Sequence, residues 1–186
     1  MNYRDIIEEW RQAAIDFFST KEQIFWKVVN LSVKRLKSGN KILVFGNGGS
    51  AAQAQHFAAE LVNKFLIVRS PIRAITLTTD TSALTSIAND TSFDLVFSRQ
   101  IEALGDAGDI ALGLSTSGHS ANVIEALKRA RDKKMFTVAL TGRGGGKLGF
   151  LVDFLLDVPS EKTPRIQEIH ILILHLLAQE IEKRLE

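Results

Sequence analysis

Five short apolar runs alternate with helix-period segments, and that alternation leaves few folds open. The runs cover residues 41–45, 74–77, 110–114, 136–140 and a weaker 151–158, which Asp153 and Asp157 interrupt. Strands buried on both faces of a parallel sheet read as such continuous runs. Between them, residues 50–65, 81–88, 93–104 and 121–133 carry apolar positions at helical spacing, and Pro164 opens a last helix. Strand after helix after strand predicts an α/β domain with a parallel sheet.

The first forty residues predict two helices. Ile6, Ile7, Trp10, Ala13, Ala14 and Phe17 mark the first. Ser19 or Thr20 would cap a second, faced by Ile24, Phe25, Val28, Val29 and Leu31 and ended by Ser38, Gly39 and Asn40. The glycine-rich stretch 142–147 reads as a flexible loop and nothing more. With 186 residues, one domain with an added helical arm accounts for the chain.

Composition excludes several classes. There is no Cys, so disulfides, thiolate metal sites and Cys nucleophiles are ruled out. Lys and Arg number 23 against 21 Asp and Glu, a balance that does not favour nucleic acid. No apolar run approaches the ~18 residues of a membrane span. The charged, amphipathic start is no signal peptide, so the expected location is the cytoplasm.

Two loops carry the first chemical signal. Gly46-Asn47-Gly48-Gly49-Ser50 follows a predicted strand and opens a helix, which lets an anion approach backbone N–H groups. Gly46, Gly48 and Ala51 loosely fit a dinucleotide fingerprint, but the acidic residue expected about 20 positions on is missing, since Asp80 comes too late. No Gly-Lys-Ser/Thr is present either, so this is no P-loop. Alone, the loop leaves an anion site and a plain tight turn equally open. Residues 115–120 tip the balance. Ser115, Thr116, Ser117 and Ser120 place four hydroxyls around Gly118 at another helix start, where capping needs only one. In a doubly wound sheet both loops would border one crevice where strand order reverses, which points to a small phosphorylated ligand.

His56 and Glu60 lie four apart on one helix face among Ala and Phe. A surface pair of a few tenths of a kcal/mol is the ordinary reading of such a spacing. The last helix is apolar over most of its circumference, which predicts burial by the domain or by partner subunits. Yet it carries Gln167, His170 and His175. Gln167 and His175 fall on one stripe and His170 points elsewhere. Either core hydrogen bonds satisfy the two, or a site is completed from this helix.

Taken together, the motifs resemble a known family. Residues 45–52, 56–61, 87–90, 115–122 and 165–171 are similar, in order, to the sedoheptulose-7-phosphate isomerases, or phosphoheptose isomerases, built on a sugar-isomerase (SIS) domain. The resemblance implies a flavodoxin-like three-layer fold with a five-stranded parallel sheet. Residues 1–186 would form a single SIS domain, 1–38 its helical arm and 39–186 its α/β core. It further implies a homotetramer with active sites between subunits, one zinc ion per subunit, and conversion of D-sedoheptulose 7-phosphate to D-glycero-D-manno-heptose 7-phosphate for lipopolysaccharide core. By matching position, substrate contacts fall on Asn47, Gly48, Gly49, Glu60, Asn89, Asp90, Ser115, Thr116, Ser117, Ser120 and Gln167. Zinc contacts fall on His56, Glu60, Gln167 and His175, and the acid/base pair is Glu60 with His175.

The chemistry asks for the same residue types. Ketose–aldose isomerisation needs a base near two carbons, a proton donor at the oxygens and stabilisation of an enediolate. Two departures stand out. Family members often carry Gly-Arg-Tyr where this chain has Asn63, Lys64 and Phe65, and some carry Asp at the position of Pro164. The alternatives are a non-catalytic SIS protein that binds the replication initiator DnaA, and a sugar-phosphate sensor. The first lacks equivalents of Glu60 and His175, which this chain keeps.

Overall fold

A computed structural model describes residues 2–186. Helix α1 (Tyr3–Lys37) leads into β1 (Ile42–Gly46), α2 (Gly49–Val62), β2 (Ala74–Thr76) and α3 (Thr81–Asp90). A 3-10 turn (Phe93–Leu95) opens α4 (Val96–Leu104), followed by β3 (Ile110–Ser115), α5 (Ala121–Asp132) and β4 (Phe136–Thr141). A second 3-10 turn (Gly146–Phe150), β5 (Phe154–Asp157) and α6 (Thr163–Leu185) complete the chain.

The five strands form one parallel sheet in the order β2-β1-β3-β4-β5. Alternate side chains of each strand feed two cores. Ile42, Val44, Leu112 and Val138 face α1, α2 and α6, with Phe17, Phe57 and Ile173. Leu43, Phe45, Ala111 and Ala139 face α4 and α5, with Phe97, Val123 and Leu127. This is the expected flavodoxin-like three-layer α/β architecture. Strand order reverses between β1 and β3, so the loops after these two neighbours share one edge of the sheet.

The N-terminal segment differs from the two helices expected. Helix α1 is continuous over 35 residues. The Ser19 and Thr20 hydroxyls turn back to donate to the carbonyls of Ile15 and Asp16 at 2.8 and 2.9 Å, so they serve the same helix instead of capping a new one. No Gly or Pro interrupts the run. The last helix starts as expected, with Pro164 in its first turn where no N–H is required. Within the single chain most of its apolar face is buried, while Ile171, Leu172 and Leu176 are only partly covered.

His170 is the fully buried histidine of α6. Its Nε2 lies 3.1 Å from the Thr141 carbonyl, an acceptor, so Nε2 carries the proton, while Nδ1 has no partner among the described residues. Burial pushes this imidazole down from 6.5 to about 4, against the smaller opposing effect of the Thr141 bond. The native state holds the ring neutral, whereas the unfolded chain takes up a proton below pH ~6.5. Stability is therefore full above that pH and falls by about 3 kcal/mol as the pH drops to 4. Denaturant titrations across pH 7 to 4 check this. His170→Gln is expected to flatten that part of the profile, and an equally steep profile in the variant would exclude His170 as its source.

Candidate active site

The glycine loop between β1 and α2 supplies the first wall. Gly48 adopts φ +53°, and at Gly49 a Cβ would meet the Gln167 side-chain nitrogen at 2.5 Å. The loop thus lets the Gln167 amide of α6 lie directly on its backbone. Gln53 of α2 donates to the Gln167 carbonyl at 2.7 Å, which fixes the two helices at this level. Asn47 exchanges two 2.8 Å hydrogen bonds with Asn122 of α5, tying the glycine loop to the helix that starts beyond β3.

The serine loop after β3 forms the neighbouring wall. The Ser115 and Ser120 hydroxyls are 2.9 Å apart, and Ser117 accepts from the His119 N–H at 3.1 Å. The 142–147 stretch, expected to be only flexible, is built into this wall. Gly142 N–H donates to the Thr116 carbonyl and Leu148 N–H to that of Gly118, at 2.9 and 3.3 Å. Gly118 has φ +66°, and any Cβ there would sit 2.1 Å from the Gly145 carbonyl oxygen. Two backbones meet with no room for a side chain.

The third part is a triad from two helices. Glu60 Oε1 of α2 lies 3.0 Å from His56 Nε2 and 3.4 Å from His175 Nε2 of α6, and the two histidine nitrogens are 3.0 Å apart. The Glu60 side chain is 8 % exposed against 53 % for His56 and 38 % for His175, so solvent reaches one side of the cluster. Burial pushes the Glu60 carboxyl above the usual carboxylate range, opposed by the nearby His175 and His56. Such a perturbed acid between two imidazoles suits proton transfer.

The same atoms fit a divalent cation. Glu60 Oε2 is buried with no hydrogen-bond partner among the described residues. Two imidazole nitrogens and a carboxylate oxygen converge. Tetrahedral zinc with bonds of 2.0–2.1 Å separates its ligands by about 3.3 Å, close to the edges of 3.0, 3.4 and 3.0 Å seen here. Three protein ligands leave a position open, as catalytic zinc sites do.

Most of the expected site residues thus gather at two adjoining loops and one helix pair. Asn89 and Asp90 do not. They lie exposed at the end of α3, bonded to each other at 2.8 Å, and Asp90 lines a separate cavity of about 530 Å³ with Ile87, Arg99 and Arg129. Two residues take roles that the sequence does not assign them, Asn122 at the end of the serine motif and Phe65, noted there only as a departure from the family pattern. Asn122 partners Asn47, and the Phe65 ring stacks on His175 with centroids 5.4 Å apart and planes 15° apart. Asn122 stands next to the serine loop, but no spacing reveals a partner 75 residues away.

The SIS domain profile matches residues 7–142. The phosphoheptose isomerase of Aliarcobacter butzleri is 55 % identical over 166 residues, covering 89 % of this chain and 88 % of that protein. This chain belongs to the phosphoheptose isomerase family. Family membership extends to the whole fold. A solved phosphoheptose isomerase from Neisseria gonorrhoeae superposes with a TM-score of 0.92 at 46 % identity, covering 97 % of each chain. One from Francisella tularensis gives 0.93 at 38 % identity, covering 98 % of this chain and 100 % of that one. No helix among the described residues is long and apolar enough to cross a membrane.

Proposed function

We propose that this chain isomerises D-sedoheptulose 7-phosphate to D-glycero-D-manno-heptose 7-phosphate, the ketose–aldose reaction of its family. The observation that carries this reading is the meeting of Glu60, His56 and His175 from two helices. Neither a DnaA-binding protein nor a passive sensor requires that triad.

Each group has a task. The 115–120 hydroxyls and the N-terminal N–H groups of α5 bind the phosphate, remote from the reacting carbons. Asn47, Gly48, Gly49 and Gln167 hold the sugar. Glu60 takes the proton from C1 while a proton reaches the C2 oxygen, in which His175 assists. The C1 hydroxyl then gives up its proton and Glu60 returns one to C2. Atoms and electrons balance, because one C–H and one O–H bond are broken and one of each is made. His56, Glu60, His175 and Gln167 would hold a zinc ion, which when bound supplies Lewis-acid stabilisation of the sugar oxygens. Gln is an uncommon zinc ligand, and the two imidazoles with the carboxylate already suffice for a three-ligand site.

The reading extends to assembly and place. The chain is a single SIS domain working in the cytoplasm as a homotetramer. Asn89 and Asp90 then serve a neighbouring subunit's site, which accounts for their distance from the triad in their own chain. Apolar residues left exposed on α1, Tyr3, Ile7 and Trp10, are available for subunit contacts. The product would enter ADP-heptose and lipopolysaccharide core synthesis. Incubation with D-sedoheptulose 7-phosphate tests the reading. Formation of the aldose is the expected result. Binding of the ketose without turnover would favour the sensor.

A further inference from the structure

A buried ion pair lies behind the triad, and the reaction as described does not use it. Glu182 of α6 stands seven residues beyond His175, two helical turns along the same face. Its carboxylate accepts from the backbone N–H groups of Phe65, Leu66 and Ile67 at 3.0, 2.7 and 3.1 Å. Arg69 Nε lies 3.0 Å away, close enough for charge pairing although not aligned as a hydrogen bond, and both side chains are buried. The Arg69 guanidinium donates in turn to the carbonyls of Glu60 and Leu61 at 2.8 and 2.9 Å, capping the last turn of α2.

The pair therefore joins the end of α2, which carries Glu60, to the stretch of α6 that follows His175. Between them it suspends the backbone of Phe65, whose ring lies nearly parallel to the His175 imidazole. Among the described residues the His175 ring makes no backbone hydrogen bond; its Nε2 contacts are His56 and Glu60. The flat Phe65 ring covers one face of that imidazole and adds to these contacts in restricting its rotation. From this geometry we infer that Phe65 is a positioning residue for His175, held in register by the Glu182–Arg69 pair. Imidazole orientation decides whether a proton reaches its target, and misplacement of a catalytic group by about 1 Å can cost ~10²-fold in rate.

The inference rests on the acid/base reading of His175, and its test has two independent arms. Phe65→Leu keeps an apolar side chain against the core but removes the flat ring. It is expected to lower kcat on sedoheptulose 7-phosphate by about tenfold to a hundredfold, the range that loss of an orienting partner costs at metal-bound histidines. KM should stay within about threefold, since the phosphate and sugar contacts lie elsewhere. Phe65→Tyr restores a stacked ring and should recover most of kcat. A general weakening of the fold would not be rescued in that way.

The second arm needs no turnover. In metal-free protein the His175 Cε1–H proton resonance, assigned from its absence in His175→Ala, carries the ring-current shift of the stacked Phe65. Phe65→Leu should move it and Phe65→Tyr should return it. Unchanged kcat in Phe65→Leu, a loss that Tyr does not rescue, or an unmoved His175 resonance would each overturn the assignment. If the wild type fails to turn over the substrate, the resonance alone still decides whether Phe65 orders His175.

Discussion

Glu60→Gln is expected to lower kcat by the ~10²–10⁴ typical of a lost acid/base group. The amide keeps the shape and the hydrogen-bonding reach of the carboxylate but cannot accept a proton. Its surroundings make the loss severe. The side chain is buried between two imidazoles, and no second carboxylate is present in the triad to take over. The fold should survive, because the packing of Glu60 is preserved and the Arg69 bond goes to its backbone carbonyl rather than to the side chain. Steady-state kinetics with a melting curve check both parts. Near-normal turnover in the variant would place the base elsewhere.

Removing metal carries the second large effect. Dialysis against a strong chelator is expected to reduce turnover by roughly 100-fold or more, since a bound cation supplies several kcal/mol of charge stabilisation. Zinc should restore it. The ligand geometry adds a condition that does not depend on turnover: His56→Ala and His175→Ala should each bind less than one zinc per chain by elemental analysis, because each removes one of the three converging atoms. Activity that survives exhaustive chelation with no metal detected would leave Glu60 and His175 to act unaided.

Much of the fold was legible because buried parallel strands leave continuous apolar runs, as 41–45, 110–114 and 136–140 do. The weaker run at 151–158 shrinks to four residues, Phe154–Asp157, three of them only partly buried, as suits a strand at the sheet edge. The sequence predicts two N-terminal helices where one forms, because Ser19 and Thr20 have the chemistry of caps. Within a helix, the same hydroxyls bond the preceding turn instead.

The candidate site was legible in pieces. His56 and Glu60 share a helix face by arithmetic alone, but their meeting with His175 spans 119 residues and comes only from the packing of α2 on α6. His170 shows why a histidine on an apolar helix is ambiguous: five residues from His175, it faces the sheet and bonds a strand carbonyl. The role of residues 142–148 was hidden for a related reason. Glycines read as freedom in a sequence, whereas Gly145 and Gly118 here are positions where two backbones touch.

The measurement that bears most directly on the proton-transfer centre is turnover of sedoheptulose 7-phosphate in deuterium oxide, followed by NMR. His56 and His175 leave one side of the triad open to solvent, so a proton held on Glu60 can exchange before it is returned. Wild-type protein should give aldose carrying deuterium at C2, and Glu60→Gln should incorporate none on the same time scale. Equal deuterium incorporation by the variant would contradict an enediol route through Glu60, as would product with only protium at C2 that the variant forms as fast as the wild type.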